Sequence, residues 1–288
     1  MTTDYLLVTP AKNEEKNLPS LISSILSQEK QPKLWVIVDD GSTDKSQEII
    51  ERSSREHKWI ITVRLDESRR DIGFHYSEVC RTGFNTIITK AREMGISFGF
   101  IALLDADIII KEHYFLELIN RMEKDASIGI TSGAIWSKEQ GKYVKVKQRT
   151  DLPSGAARIW KIKCYEETNG FEKTMAPDSV SNARAKIKGW KTVRYSDIKA
   201  YQSRATASAE GLWIGYKRKG QASYYLHEPF YFILGKASSF AAEESLRQGV
   251  AFLWGWLSSW IHRRSKIPDP ELKKYFRSKL YTTRGERF

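Results

Sequence analysis

Polar side chains that could bind a ligand follow three short apolar stretches of the chain. They are the segments Thr9–Glu15 (TPAKNEE), Asp39–Asp44 (DDGSTD) and Asp105–Asp107 (DAD). Carboxylate oxygens accept hydrogen bonds from a nucleotide base and bind hard divalent cations. Each segment alone is equally typical of a turn or a helix cap, where Asp, Ser, Thr and Gly are common. A shared site therefore requires a fold that brings the three segments together.

Short β-prone stretches alternate with helical patterns in the first half of the sequence. Continuous apolar runs, typical of strands buried on both faces of a parallel sheet, predict strands at Tyr5–Thr9, Leu34–Val38, Ile60–Leu65 and Phe100–Leu104. Helical spacing predicts helices from Leu18 to Leu26, from Asp44 to Ser54, from Thr82 or Gly83 to Met94, and from Glu112 to Met122. This alternation predicts an α/β fold with a doubly wound, mostly parallel sheet. Ligands bind at the carboxyl ends of strands in such sheets, so we expect the three polar segments to share one edge.

The pattern changes after about residue 125, and we expect the sheet to become mixed there. The sequence predicts a strand at Ile128–Trp136, a basic loop at Lys138–Arg149, a helix at Ser179–Lys188 and a short strand at Thr192–Tyr195. Beyond Gly220 the composition becomes aromatic and basic. We therefore predict a catalytic domain over residues 1–222 and a helical extension over residues 223–288, which would bind a membrane interface or another subunit.

The order and spacing of these segments resemble the inverting glycosyltransferases of the GT-A fold, and within them the large family 2 that includes polysaccharide and dolichyl-phosphate sugar transferases. The resemblance covers roughly Tyr5 to Arg204 and implies a Rossmann-like nucleotide-sugar-binding fold. Val38–Asp44 matches the second nucleotide-binding turn of the family and is the most specific stretch. Asp105-Ala106-Asp107 resembles its metal-binding Asp-x-Asp motif. Arg81 and Gly83–Asn85 lie where the family has a basic loop before a helix.

The resemblance implies a nucleotide-diphosphate sugar donor, with a UDP-sugar favoured and a GDP-sugar next. Pro10–Glu14 looks like the family's first nucleotide-binding turn. The residues assigned to donor binding in this way are Pro10, Ala11, Asn13, Glu14, Asp39, Asp40, Arg81, Asp105 and Arg204. Asp105 and Asp107 would hold a divalent metal, Mn²⁺ or Mg²⁺, which would stabilise the charge that develops on the leaving diphosphate.

A third metal position departs from the family pattern. Many relatives carry a histidine shortly before an arginine in the segment after the catalytic base, whereas this chain has Gln202 before Arg204. An amide oxygen can coordinate Mg²⁺ or Mn²⁺, but it is a weaker ligand than imidazole toward transition metals. We therefore expect Gln202 in the metal site with a low metal affinity. The histidines, among them His75, are interpreted as surface or structural residues.

The acceptor hydroxyl must lose a proton as it attacks the sugar carbon, and a carboxylate across the site can take that proton. The family places this base after a Gly-Phe turn and before a helix, and here Gly170-Phe171 is followed by Asp178. Asp178 is therefore the expected general base. The alternative is that Asp178 only caps the helix that follows it. Pro177 replaces the Glu that usually precedes the base, which leaves the orientation of the substrate open.

Three other functions remain open on the sequence. A retaining transferase of the same fold would differ in the stereochemistry at the anomeric carbon. A sugar nucleotidyltransferase would normally have a Gly-rich loop with Arg and Lys after the first strand, whereas Pro10–Glu15 is acidic and lacks Gly. A nucleic-acid-binding module would use the formal net charge of +12 and the nine tryptophans. The acidic strand ends would repel phosphate in the absence of metal, so we expect no nucleic acid partner.

Cysteine content and the first residues favour a cytoplasmic protein. Cys80 and Cys164 are too few for a disulfide framework and are consistent with a reducing compartment. Met1–Pro10 begins with an acidic residue and a short apolar run, so we expect no signal peptide.

The C-terminal extension contains an apolar segment at Gly249–Ile261, followed directly by cations. Its thirteen residues are too few for a spanning helix, which needs about 20. Trp254, Trp256 and Trp260 suit the headgroup level of an anionic membrane. A helical hairpin packed on protein, including an oligomer, is the alternative. We expect peripheral binding to the cytoplasmic membrane face, and a glycan or lipid-linked acceptor.

Overall fold

Apolar stretches in the first hundred residues form the central strands of a mixed β-sheet. The structure is a computed structural model in which residues 2–66, 73–139, 141–203 and 211–278 are described. Two units separate by their internal contacts, residues 1–203 and residues 204–288. The boundary predicted from composition, at residue 222, lies later in the chain. The difference arises because the helix at 212–225 belongs to the second unit.

The described part of the first unit contains one nine-stranded sheet. Its strands are β1 (Tyr5–Ala11), β2 (Leu34–Asp39), β3 (Ile60–Arg64), β4 (Phe100–Leu104), β5 (Ile108–Ile110), β6 (Ile128–Glu139), β7 (Lys142–Lys145), β8 (Ala157–Lys161) and β9 (Lys191–Gln202). Their order across the sheet is β3-β2-β1-β4-β8-β6-β9-β5, and β7 pairs with β6. The predicted doubly wound sheet that becomes mixed in its second half is confirmed.

Strand direction changes at β8. The pairs β1–β2, β2–β3 and β1–β4 are parallel, and β2 and β4 are buried along their whole length, as their apolar runs predict. β8 is antiparallel to both β4 and β6, whereas β6 and β9 are parallel. The basic loop expected at Lys138–Arg149 is wrong in part, because Lys142–Lys145 forms β7 with all four residues exposed. An exposed strand lacks the buried apolar face that sequence patterns detect.

Helices cover the sheet in the first unit. They are α1 (Leu18–Leu26), α2 (Ser46–Glu56), α3 (Phe74–Glu93), α4 (Tyr114–Lys124), α5 (Ile162–Glu167) and α6 (Pro177–Ile187). The prediction that α3 begins at Thr82 or Gly83 is wrong, since it begins at Phe74. Gly83–Asn85 is therefore helical and not a loop. Gly83 lets α3 approach the sheet closely, because a Cβ at this position would lie 2.5 Å from Val8 Cγ1.

The second unit is helical, as predicted for the extension. Its helices are α7 (Leu212–Tyr225), α8 (Phe230–Glu243), α9 (Leu246–Ile261) and α10 (Pro270–Arg277). A buried cluster of Tyr216, Ile233, Ala237, Ala251 and Phe252 joins α7, α8 and α9. Among the residues described, no helix is both long and apolar enough to cross a membrane.

Candidate active site

The polar segments Thr9–Glu15 and Asp39–Asp44 are joined by hydrogen bonds at the ends of β1 and β2. The Asn13 backbone amide donates to Ser42 Oγ at 2.9 Å, and the Thr43 amide donates to Asn13 Oδ1 at 2.8 Å. Glu14 N donates to Ser46 Oγ at 2.8 Å, at the start of α2. Gly41 has a φ of 59°, in the left-handed region that glycine adopts without strain. The two expected nucleotide-binding turns thus form one hydrogen-bonded unit.

Asp39 lies at the end of β2, and its carboxylate is almost fully buried. Its Oδ1 accepts a hydrogen bond from the Ser42 amide at 2.9 Å, and its Oδ2 pairs with the Arg64 guanidinium. An ionised carboxylate has about four lone-pair positions, so these two contacts leave positions for further donors. The arrangement fixes the direction of a carboxylate that can accept from the N–H of a base.

Asp40 is held by two cationic or ionisable neighbours. Lys12 Nζ lies 3.4 Å from Asp40 Oδ2, and His75 Nε2 lies 2.7 Å from Asp40 Oδ1. His75 is in the first turn of α3, which the predicted start of that helix omits. The interpretation of His75 as a surface or structural residue therefore misses its place beside a candidate donor-binding residue.

A chain of hydrogen bonds runs from the first turn to the end of β9. Asn17 Nδ2 donates to Glu14 Oε2 at 2.6 Å, and Ser203 Oγ donates to Asn17 Oδ1 at 2.8 Å. Ser203 N also donates to the Asp107 carbonyl at 3.0 Å. Glu14 is buried, so its carboxylate fixes the position of Asn17 and is not accessible from solvent. The segments predicted for nucleotide and metal therefore lie at connected positions.

Asp107 and Gln202 are direct neighbours, although 95 positions separate them in the chain. Ile108 pairs with Gln202 across β5 and β9, and Gln202 Nε2 donates to Asp107 Oδ2 at 3.1 Å. The Asp107 carboxylate is buried. The structure therefore brings two of the three predicted metal ligands together, with the amide nitrogen of Gln202 turned toward the carboxylate.

The donor set at this edge consists of oxygen atoms. No group of three His, Cys, Asp or Glu side chains suited to a metal occurs among the residues described. Two carboxylates, Asp105 and Asp107, with the Gln202 amide oxygen, form the kind of hard-oxygen set that Mg²⁺ and Mn²⁺ accept, with their other positions filled by phosphate or water. The residues fit a divalent ion that binds together with a diphosphate.

Asp178 lies within the first turn of α6, whose N-cap is Ala176, so it does not occupy the cap position that the alternative interpretation requires. Its side chain is 45% exposed, but Oδ1 is buried beside Arg158, so an acceptor would have to approach Oδ2. A Cβ at Gly155 would lie only 1.9 Å from Asp178 Oδ2. The carboxylate therefore rests directly against the Gly155 backbone, just before β8.

A fully buried arginine, Arg158, lies beside the Asp178 carboxylate. Arg158 Nη2 lies 3.4 Å from Asp178 Oδ1, and the same guanidinium donates to the carbonyls of Ser154 at 2.9 Å and Pro153 at 2.8 Å. Its charge also lies 5.4 Å from the centre of the Trp160 ring. A buried cation is costly unless it is hydrogen-bonded and paired, so Arg158 and Asp178 constrain each other's position.

Tyr76 connects the two candidate carboxylates. Its hydroxyl donates to Asp105 Oδ1 at 2.8 Å. Burial raises the pKa of Tyr76 well above its ordinary value, and the charges of Asp105, Cys80 and Asp178 raise it further. Tyr76 thus stays neutral and remains a donor, and Asp105 and Asp178 both lie close to it. The Asp105 carboxylate and the charge of the expected base thus act on the same tyrosine.

One predicted donor-binding residue, Arg81, lies apart from the other candidate residues that the structure describes. Arg81 lies within α3, pairs with Glu78 at 2.7 Å and lines a surface depression of about 480 Å³ with Asn85 and Arg92. That depression contains none of the other candidate donor residues, and Arg81 lies in a helix and not in the expected loop. The donor-binding role of Arg81 stays a prediction. Arg204 lies outside the described residues.

Sequence reasoning misses Arg158, Tyr76 and His75. Val79, Cys80, Gly83, Phe84 and Ile87 follow helical spacing, and this pattern extended backwards would have included Tyr76 and His75 in α3. Arg158 is a single cation in the otherwise apolar stretch AARIW, which predicts a buried cation with a partner. The identity of that partner depends on how β8 and α6 pack.

Comparison with known proteins gives one family match. The family model described as glycosyl transferase family 2 matches residues 6–185. A poly-beta-1,6-N-acetyl-D-glucosamine synthase of Staphylococcus epidermidis is 27% identical over 121 residues, which are 42% of this chain and 26% of that protein. Glycosyltransferase GlyG of Streptococcus pneumoniae is 28% identical over 141 residues, 48% of this chain and 41% of that protein. The chain thus aligns with less than half of the length of these curated relatives.

Solved structures share the fold at low sequence identity. S. aureus TarS 1-349 in complex with UDP-GlcNAc has a TM-score of 0.56 and 14% identity, and the match covers 95% of this chain and 78% of that one. Mannosyltransferase PcManGT from Pyrobaculum calidifontis, in complex with GDP-Man and Mn²⁺, has a TM-score of 0.54 and 16% identity, covering 92% and 76%. These similarities support the arrangement of the sheet and its helices.

Proposed function

The chain belongs to glycosyl transferase family 2, and on that premise we propose that it is an inverting glycosyltransferase that moves a sugar from a nucleotide diphosphate to an acceptor hydroxyl. The observation that carries the proposal is the position of Asp178. Its side chain is 45% exposed, and its charge acts on Tyr76, whose hydroxyl donates to Asp105. A base on one side and a diphosphate site on the other are what an in-line displacement requires.

The donor is proposed to bind across the paired turns at the ends of β1 and β2. Pro10, Ala11 and Asn13 would line the base and ribose, and Asp39 would accept from the base N–H. We propose a UDP-sugar first and a GDP-sugar next. TarS 1-349 in complex with UDP-GlcNAc and PcManGT in complex with GDP-Man are similar in fold and make these two nucleotides the first to test.

Asp105 and Asp107, with Gln202 beside them, are the residues that would hold a divalent metal. When bound, Mn²⁺ or Mg²⁺ supplies positive charge that stabilises the nucleoside diphosphate as it leaves. The Tyr76 hydroxyl holds one oxygen of Asp105, so the direction of this carboxylate is set before any ligand arrives. Gln202 would have to turn its amide oxygen toward the ion, because its amide nitrogen now faces the Asp107 carboxylate.

Asp178 is proposed to take the proton of the acceptor hydroxyl. As the acceptor oxygen forms its bond to the anomeric carbon, the bond between that carbon and the diphosphate oxygen breaks, and the configuration inverts. The proton passes to the Asp178 carboxylate, and the nucleoside diphosphate leaves with the electron pair of the broken bond. Arg158 and Gly155 hold the carboxylate in place and are positioning residues.

The acceptor is proposed to be a hydroxyl of a glycan or of a lipid-linked sugar, used at the cytoplasmic face of a membrane. A relative named for a polysaccharide product supports this class of acceptor. The site itself supports it through the exposure of Asp178, since a bulky acceptor needs an open approach to the base.

The proposal is tested by Asp178→Asn, with Glu48→Gln as the matched control. Both residues are acidic and lie in the first turn of a helix, so both substitutions remove the same favourable interaction with a helix dipole. We expect kcat of Asp178→Asn to fall by at least about a hundredfold with donor Kd unchanged, and Glu48→Gln to retain activity. Loss of donor affinity with turnover preserved in Asp178→Asn would instead make Asp178 a structural residue.

A further inference from the structure

Helix α9 in the second unit buries glycine, alanine and serine residues together with Phe252, and it exposes other large apolar residues. Leu246, Val250, Trp254 and Ile261 are between 47% and 73% exposed. At 3.6 residues per turn, these four positions lie within roughly 80° of arc. We call these four residues the α9 stripe. A surface helix of a globular protein normally turns such a stripe toward its core.

The opposite face of α9 packs so closely on α7 and α8 that the helix cannot rotate to bury the stripe. A Cβ at Gly255 would lie 1.9 Å from the Lys217 carbonyl of α7, and a Cβ at Gly249 would lie 2.6 Å from the Ala237 carbonyl of α8. Ser258 and Ser259 are buried on the same side. Backbones that pack this closely on small residues fix the rotation of α9 and leave the α9 stripe at the surface.

The C-terminal end of the α9 stripe is cationic, whereas at its other end Arg247 lies near the exposed Glu243 and Glu244. His262, Arg263 and Arg264 follow Ile261 directly, and all three are exposed, as is Arg247 beside Leu246. Residues 211–278 contain eleven Lys and Arg against five Asp and Glu, a net charge of +6. Two copies of this net positive surface would repel each other, whereas an apolar stripe that ends in a cluster of cations complements anionic headgroups above acyl chains.

We infer that the α9 stripe docks this protein on an anionic lipid surface, with α9 lying in the plane of the interface. At about 1.5 Å per residue, the 16 residues of α9 extend over roughly 24 Å, less than the hydrocarbon core of about 30 Å. The inference goes beyond sugar transfer and does not depend on it, because docking requires neither donor nor metal.

Trp256 is excluded from the docking surface, although its sequence position suggests otherwise. Its ring contacts those of Tyr224 at 5.8 Å and Phe230 at 5.1 Å, within the helical unit. Trp254 and Trp260 are 47% and 59% exposed. Only the latter two tryptophans can enter the headgroup region.

The test is co-sedimentation of the full chain with vesicles of phosphatidylcholine alone, or of equal parts phosphatidylcholine and phosphatidylglycerol. We expect binding to the anionic vesicles only, weakening as salt is added. Leu246→Glu and Trp254→Glu should each lower the partition coefficient by about tenfold or more, because each loses an apolar side chain from the interface. Arg264→Gln should lower it by about fivefold.

Met94→Glu is the control, since Met94 is 59% exposed at the end of α3 in the first unit. It should bind vesicles like the unchanged protein, and circular dichroism should give all variants the same melting temperature. Equal binding to both kinds of vesicle, or no effect of Leu246→Glu and Trp254→Glu, would overturn the inference. So would a dimer in sedimentation equilibrium that these two substitutions convert to a monomer without any vesicle binding.

Discussion

Replacing Gly155 with alanine should displace the proposed base, Asp178, without changing that residue itself. The added Cβ would lie 1.9 Å from Asp178 Oδ2 and 2.3 Å from its Cγ, whereas real Cβ contacts essentially never fall under 3.0 Å. The carboxylate must therefore move by at least about 1 Å. A misplacement of about 1 Å can cost on the order of a hundredfold in rate, and complete loss of a general base costs on the order of 10²–10⁴.

The assay for Gly155→Ala is a double-mutant cycle with Asp178→Asn, in which kcat and donor Kd are both measured. We expect kcat of Gly155→Ala to fall by about a hundredfold or more with donor Kd unchanged. In the Asp178→Asn background the same substitution should have little further effect, because an amide has no basic oxygen to misplace. Gly235→Ala in α8 is the control, since its added Cβ would meet nothing within 4 Å. Two full, independent losses in the double variant would refute the role given to Asp178.

Four further substitutions test the rest of the site. Asp107→Ala should abolish metal-dependent donor binding, measured by calorimetry with and without Mn²⁺, because it removes a charged ligand. Asp39→Ala should weaken binding of the nucleoside diphosphate alone, without sugar or metal; unchanged affinity would exclude its contact with the base. Gln202→His should strengthen Mn²⁺ binding relative to Mg²⁺, and an unaltered preference would place Gln202 outside the coordination sphere. Arg158→Met should lower the free energy of unfolding in urea by at least about 1–3 kcal/mol, since buried carbonyls lose their donor, and should lower kcat; normal stability and turnover would remove Arg158 from the support of Asp178.

The parallel half of the sheet is predictable from the sequence because each of its buried strands leaves a continuous apolar run. Leu34–Asp39 and Phe100–Leu104 are such strands, and the polar residues after them mark the ligand edge. β7 could not be predicted in this way, because its residues are exposed on an edge of the sheet. The start of α3 is misplaced because Gly83 suggests a boundary, whereas it serves the close approach of the helix to β1.

Contacts between distant segments mark the limit of sequence reasoning at the site. The proximity of Gln202 to Asp107 follows from a resemblance, whereas the contact of Gly155 with Asp178 has no signal in the sequence. That contact depends on how the start of β8 meets the first turn of α6. Similarly, the apolar segment at Gly249–Ile261 predicts an interfacial helix, but only its packing on glycines determines which face points outward.

The most direct test of the account is the release of nucleoside diphosphate from a panel of UDP- and GDP-sugars as Mn²⁺ is titrated, comparing the unchanged protein with Asp107→Ala. Hydrolysis by water suffices for this readout, so the acceptor need not be known. We predict that at least one donor is cleaved in a metal-dependent manner, that the first-formed sugar has the inverted anomeric configuration by NMR, and that Asp107→Ala is inactive. Cleavage by Asp107→Ala at the unchanged rate, or retention of configuration, would contradict the metal and base assignments made here.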